Sequence, residues 1–314
     1  MRKPDVDSSA LRDVVARAFG RGSDSRIERT ESGVSAQVYR VWRGRQVLYL
    51  RVSEEESQSL AVEVEIHRRL RALGLRVPEV VFFEAFDSGL RRSVMITTEI
   101  PGEPLSRGAA LETVQQVLVA AGRELAQINQ LPVSGFGWLR RDRRDGTLCG
   151  EFETYEAWVF DELESRLRLL AGTLLSRREI GAIERLVAET VSDAGTGPPR
   201  LAHGDFDSTQ ILQQGGRFTG VIDFGEVRGA EPWYDLAHFA LHDGEGLRTR
   251  GLDHLQAGYA EVAPLPPNLA DRRRRTAVRI GVFRLGRQLE RHGDRALGRP
   301  YVRAVLESVR ELLP

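Results

Sequence analysis

The first 25 residues carry Leu11, Val14, Val15 and Phe19 at helical spacing on one face, and this predicts a short helix over 7–20. Ser8 or Ser9 is the expected N-cap, and Gly20 the stop. The period then changes to two. Arg26–Ser32, Gln37–Arg43 and Gln46–Val52 read as three strands, the last two joined as a hairpin through Arg43-Gly44-Arg45. Within Ser57–Leu73 the apolar positions Leu60, Val62, Ile66, Leu70 and Leu73 suit a helix that ends near Gly74. Pro78 restarts extended structure, and Val80–Glu84 and Ser93–Ile100 read as two more strands. The run Ile100-Pro101-Gly102-Glu103-Pro104 breaks the pattern and is the expected domain boundary.

Beyond that boundary the pattern turns helical. Gly108–Leu131, Glu153–Ala171 and Ser176–Ala194 carry long apolar periodicity. Leu201–Leu212 and Phe218–Phe224 read as a small hairpin around Gly215-Gly216, and helical spacing resumes from Pro232. The expectation is a domain over 1–100 with five antiparallel strands and one packed helix, then a mainly helical domain over 101–314. Strands and helices do not alternate, so the fold class is α+β rather than a doubly wound sheet.

Composition adds boundaries to this picture. At 314 residues the chain is long enough for about two domains. Hydrophobic residues make up 41% and charged residues 29%, with mean hydropathy −0.31, as in ordinary folded proteins. Cys149 is the one cysteine, which excludes an intrachain disulfide. The charged start is unlike a signal peptide, and no uncharged apolar run approaches the length of a membrane span, so a cytoplasmic protein with no membrane partner is expected. The 45 basic and 45 acidic residues balance, which argues against a nucleic-acid partner held through counterion release. Lys3 is the only lysine, so any inner role that lysine usually fills must fall to arginine.

The chemistry concentrates in His203-Gly204-Asp205-Phe206-Asp207-Ser208-Thr209-Gln210, followed by Val221-Ile222-Asp223-Phe224-Gly225. Asp205 is expected in a loop just after an apolar stretch, Gln210 opens the expected hairpin and Asp223 ends its second strand. Two carboxylates and an amide oxygen then converge, an all-oxygen set that suits Mg²⁺ more than Zn²⁺. Downstream, Gly229-Ala230-Glu231-Pro232-Trp233-Tyr234-Asp235-Leu236-Ala237 adds a third pattern.

These segments resemble the catalytic motifs of the aminoglycoside phosphotransferase family, whose HGDxxxxN and D(F/W)G elements are similar to those of protein kinases. Ser134-Gly135-Phe136-Gly137 and the catalytic segment look most like its hygromycin phosphotransferase branch. The resemblance implies a two-lobed, kinase-like fold and transfer of a γ-phosphoryl group from ATP, with GTP as the alternative donor, to a hydroxyl. Asp205 would orient or deprotonate that hydroxyl, Asp223 would bind Mg²⁺, and Asp235 would brace the loop. Gln210 stands at the metal-binding Asn position on a longer arm. Arg51 stands where the family has a phosphate-binding lysine, and a guanidinium holds phosphate in a fork rather than as a point charge.

By the same resemblance, Gly33 and Ser35 would cover the phosphates. Glu63 rather than Glu65 would pair with Arg51, because Glu63 flanks the buried stripe. Glu99 and Ile100 would bond the adenine edge through their backbone. The expected partner is a small hydroxyl acceptor, cationic if aminoglycoside-like, and the chain a monomer or homodimer. Candidate acids for a cation are Asp207, Glu226 and Glu231, with Glu153, Glu156, Asp161 and Glu164 on one predicted helix, where a solvated acidic stripe is the competing reading. The motif serves kinases of primary metabolites such as choline, homoserine or sugar-like acceptors equally well. The departures at Arg51 and Gln210 keep a nucleotide-binding pseudokinase as the further alternative.

Overall fold

The computed structural model describes residues 6–20, 25–30, 37–105, 109–161, 163–192, 197–247 and 249–314. Its backbone contacts group into two compact units, one of Met1–Gly102, Arg140–Leu148 and Thr219–Gly225, the other of the remaining segments.

The first unit begins with helix α1 (Ser8–Phe19). Its N-cap is Asp7 rather than the expected Ser8 or Ser9: Asp7 Oδ1 accepts the Ser9 N–H at 3.0 Å. Strands β1 (Ser25–Arg29), β2 (Gln37–Arg43) and β3 (Gln46–Val52) follow. Then come helix α2 (Ala61–Ala72) and strands β4 (Val80–Asp87) and β5 (Arg92–Thr98). They form one antiparallel sheet in the order β1-β2-β3-β5-β4. Alternation divides β5 between two cores. Val94 and Ile96 join Leu48, Leu50 and the apolar stripe of α1, whereas Met95 packs with Leu60 and Val64 at α2. Helix α2 starts four residues later than Ser57 because the preceding donors are used elsewhere. Ser59 N–H reaches Arg141 O at 2.7 Å and Leu60 N–H reaches Ser93 Oγ at 3.1 Å.

The second unit holds β6 (Glu103–Pro104), α3 (Leu111–Ile128), β7 (Phe136–Leu139), β8 (Gly150–Phe152), α4 (Tyr155–Asp161), α5 (Leu163–Leu170) and α6 (Arg177–Ser192). It continues with β9 (Arg200–Ala202), β10 (Ile211–Gln214) and the start of β11 (Arg217–Val221). Strand β12 (Arg228–Ala230) and helices α7 (Tyr234–Leu241), α8 (Leu252–Ala260), α9 (Leu269–His292) and α10 (Pro300–Leu312) complete it. The apolar faces of α5, α6, α7, α9 and α10 share one core. A four-stranded sheet, β8-β7-β12-β9, positions the chemistry. Strands β7, β8 and β12 were not expected, since runs of three or four residues are too short to display a period.

Two expectations are corrected. The hairpin around Gly215-Gly216 is formed by β10 and β11, but Leu201–Leu212 is not one continuous arm of it: β9 pairs with β12, and residues 203–210 form a loop before β10. Asp235 causes the break by taking the N–H groups of His203 and Gly204. Nor does Asp223 close a strand. β11 stops at Val221, whose N–H donates to Arg76 O at 2.9 Å, and Asp223 itself has φ +65°.

Candidate active site

The loop after β9 is held from beneath. Asp235, fully buried at the start of α7, accepts the His203 N–H at 2.8 Å and the Gly204 N–H at 2.9 Å. Asn129 Nδ2 donates to the same carboxylate at 2.7 Å and to Leu201 O at 3.0 Å, tying α3 to the loop. Gly204 has φ +84°, and a Cβ there would lie 1.9 Å from Glu226 O, so glycine is required twice over.

These constraints leave Asp205 partly exposed, with its carboxylate gripped by Arg284 of α9. Burial alone would raise its pKa. Arg284, with smaller effects from His238 and His203, more than reverses that and holds Asp205 well below the ordinary carboxylate range. Burial likewise opposes the charge on Arg284, and Asp205 overcomes it. His238 is fully buried and held neutral, chiefly by burial. Its Nδ1 faces Phe206 O at 3.0 Å, and Nε2 lies 3.5 Å from Asp205 Oδ1. Two carboxylates of the motif region thus differ in environment. Burial raises the pKa of Asp207, which is occupied with the Thr209 N–H at 2.7 Å.

A second cluster lies wholly within the first unit. Arg51 on β3 reaches Glu63 Oε2 of α2 at 3.1 Å and Asp223 Oδ1 at 3.5 Å through one nitrogen, Nη1. Burial would lower the Arg51 pKa, but Glu63 and Asp223 raise it above its usual value. Glu65, by contrast, faces Arg69 at 2.7 Å on the surface. Asp223 is a non-glycine residue in left-handed backbone, a costly conformation that presents a half-exposed carboxylate. Glu99 and Ile100 follow the last ladder pair, Leu48↔Thr98, and the Glu99 carboxylate binds Arg40 at 2.7 Å and Tyr49 at 3.1 Å. Gly33 and Ser35 lie outside the described residues.

Gln210 is half-buried in the second unit, its N–H donating to Asp207 O at 3.2 Å. Glu226 and Glu231 are spent on internal arginines. Glu226 binds Arg287 at 3.0 Å, and Glu231 binds Arg279 at 2.9 Å and Thr276 at 2.8 Å. Glu153, Glu156, Asp161 and Glu164 are exposed, and helical residues flank Glu162, which lies outside the described residues, as α4 and α5. A cavity near α4 is lined by Asp161 and Glu151 but also by Trp138, Trp158, Arg228 and Arg279. Motif reading gave no sign of Arg284, whose sole signal is a cation on the apolar side of a long helix.

The family model described as the phosphotransferase enzyme family matches residues 26–270. The chain belongs to the phosphotransferase enzyme family. Among curated proteins no sequence matches it. Among solved structures it is similar to a thermostable variant of aminoglycoside phosphotransferase APH(4)-Ia in complex with ADP and hygromycin B. The identity is 18% and the TM-score 0.68, over 96% of this chain and 97% of that one. It is similar to aminoglycoside 2′-phosphotransferase-IIIa in its GDP complex, with 14% identity, TM-score 0.67 and 98% of each chain covered. A protein assigned as a fructosamine-3-kinase from Thermobifida fusca gives 20% identity and TM-score 0.63, over 98% of this chain and 99% of that one. These likenesses establish the fold: α+β, protein-kinase-like, with the five-stranded antiparallel sheet first. Family membership makes this chain a phosphotransferase. Among the described residues no helix is long and apolar enough to cross a membrane.

Proposed function

We propose that this phosphotransferase moves the γ-phosphoryl group of ATP to a hydroxyl of an aminoglycoside-like small molecule. The observation that carries the reading is Asp205, ionised and fixed by Arg284 at the end of a braced loop. A carboxylate so strongly acidic is a weak general base. It accepts the hydrogen bond of an acceptor hydroxyl and aims its oxygen, which is what a loose phosphoryl-transfer transition state requires.

In this reading residues 1–100 hold the nucleotide and 101–314 the acceptor. Arg51 contacts the phosphates, Gly33 and Ser35 cover them, and the backbone of Glu99 and Ile100 takes the adenine edge. Asp223 and Gln210 would hold Mg²⁺. The fit is chemical: Asp223 offers a half-exposed carboxylate on strained backbone, and both donors are oxygens, as this cation prefers. When bound, the ion neutralises charge on the phosphate oxygens. The neighbours of similar fold, solved with ADP and hygromycin B or with GDP, support a purine nucleotide donor and an aminoglycoside acceptor.

The test is ATP consumption in the presence of an aminoglycoside panel, with mass detection of the product. A phosphorylated aminoglycoside supports the reading. A phosphorylated glycated amine with none of the antibiotics modified would move the acceptor class. Nucleotide binding with no acceptor modified would favour the pseudokinase.

A further inference from the structure

Arg141 belongs to no motif, yet its guanidinium meets two parts of the first unit that the chemistry must keep in register. Its Nη2 lies 3.0 Å from Glu63 Oε1 and 2.5 Å from Gly225 O, two residues beyond Asp223. The backbone of Arg141 also acts: its carbonyl takes the Ser59 N–H at 2.7 Å, immediately before α2. A little further on, Gly146 packs closely against Ala61 and Glu65 on the same helix. The segment is therefore built onto the turn of α2 that carries Glu63.

Glu63 is the pivot. Its side chain is 1% exposed, and two guanidiniums approach it, Arg51 at Oε2 and Arg141 at Oε1. These are ion pairs by distance, without the alignment of hydrogen bonds. A buried carboxylate left without a cation is strongly unfavourable. If Arg51 alone served Glu63, any shift of Arg51 toward a phosphate would strip that carboxylate of its counter-charge. Arg141 keeps Glu63 neutralised while Arg51, whose single Nη1 also reaches Asp223, engages elsewhere. The bond to Gly225 O meanwhile fixes the turn that holds Asp223 in its left-handed conformation.

We propose that Arg141 is a positioning residue of the nucleotide and metal site, coupling Glu63 of α2 to the Asp223–Gly225 turn. The proposal rests on the reading that Asp223 holds Mg²⁺ beside the phosphates. It gives Arg141 no contact with substrate.

The test measures binding of AMP-PNP by calorimetry across a Mg²⁺ titration, for wild type, Arg141→Ala, Arg141→Lys and Asp223→Ala, with Tm recorded for each. Arg141→Ala is expected to weaken Mg²⁺-dependent AMP-PNP binding about tenfold and to raise the Mg²⁺ needed for half-saturation. Arg141→Lys should recover much of both, because a cation again faces Glu63 and Gly225 O. A merely structural arginine would lower Tm without moving the Mg²⁺ requirement. The inference is overturned if Arg141→Ala binds with wild-type Mg²⁺ dependence, or if Arg141→Lys, folded with wild-type Tm, is as defective as alanine. Should Arg141→Ala fail to fold, Arg141→Lys against wild type decides: near-wild-type Mg²⁺ dependence supports the coupling and a large shift contradicts it. If Asp223→Ala leaves Mg²⁺-dependent binding intact, the underlying assignment of Asp223 fails. If Asp223→Ala loses it while Arg141→Ala does not, only the role of Arg141 fails.

Discussion

Arg284 grips Asp205 across 79 residues of sequence, so the carboxylate of the loop after β9 is held by the long C-terminal helix α9 rather than by its own loop. The ion pair fixes the position of the carboxylate and its ionisation together.

Replacing Asp205 by Asn keeps the size of the side chain and the loop beneath it, but removes the negative oxygen that the proposed function assigns to the acceptor hydroxyl. The expected outcome is a fall in kcat of about 10²-fold or more with the nucleotide Kd nearly unchanged. Steady-state kinetics with parallel nucleotide titration measures both.

Arg284→Met tests the electrostatic half of the relationship. In wild type the folded pKa of Asp205 lies below its ordinary value of 3.8, so the carboxylate is ionised throughout the neutral range. Without Arg284, burial is opposed only by the smaller effects of His238 and His203, and the pKa rises. The acidic limb of the kcat–pH profile should therefore move to higher pH in the variant. An acid limb that stays where it is in wild type would mean that Arg284 does not set the ionisation of Asp205.

Gly204→Ala places a Cβ against Glu226 O in backbone that disfavours any side chain. The loop must shift, and small displacements at a reacting centre cost rate steeply. Activity should fall at least tenfold even where a circular-dichroism melt still shows a cooperative transition.

A stability prediction lies far from the chemistry. Glu179 and Ser176 form a reciprocal cap at the start of α6, with Ser176 N–H to Glu179 Oε2 at 2.6 Å and Glu179 N–H to Ser176 Oγ at 3.3 Å. Arg310 adds a bond at 2.7 Å. The Ser176 bonds first, then Arg310, bring the Glu179 pKa from 4.5 to about 2. The sign follows: this stabilisation is present above pH 4.5 and is lost as pH falls toward 2. Glu179→Gln keeps a capping amide but loses the charge. Its Tm should be lower than wild type at neutral pH, with the gap closing in acid.

Much of this was legible in the sequence because it is periodic or local. The first three strands of the sheet lie where the period is two, and β3 matched Gln46–Val52 in full. Glu63 was separable from Glu65 because helical spacing alone decides which flanks a buried stripe. The rest was hidden for physical reasons. Strands β7, β8 and β12 are too short to carry a period, and their sheet exists through pairing distant in sequence. Residues 203–210 leave the ladder because the Asp235 carboxylate, distant in sequence, takes the N–H groups of His203 and Gly204. Arg284 and Arg141 act across long sequence separations, and in a chain with almost no lysine nothing marks one arginine from the others. Glu226 and Glu231, offered as contacts for a cation, are taken by internal arginines that no spacing rule foretells.

The most direct measurement incubates wild type and Asp205→Asn with ATP, Mg²⁺ and hygromycin B or kanamycin and follows the antibiotic by mass. The account predicts that the antibiotic gains one phosphoryl group with wild type, and that transfer by Asp205→Asn is slower by about 10²-fold or more. Transfer by Asp205→Asn at the wild-type rate would contradict it, and so would ATP binding by wild type with no aminoglycoside modified.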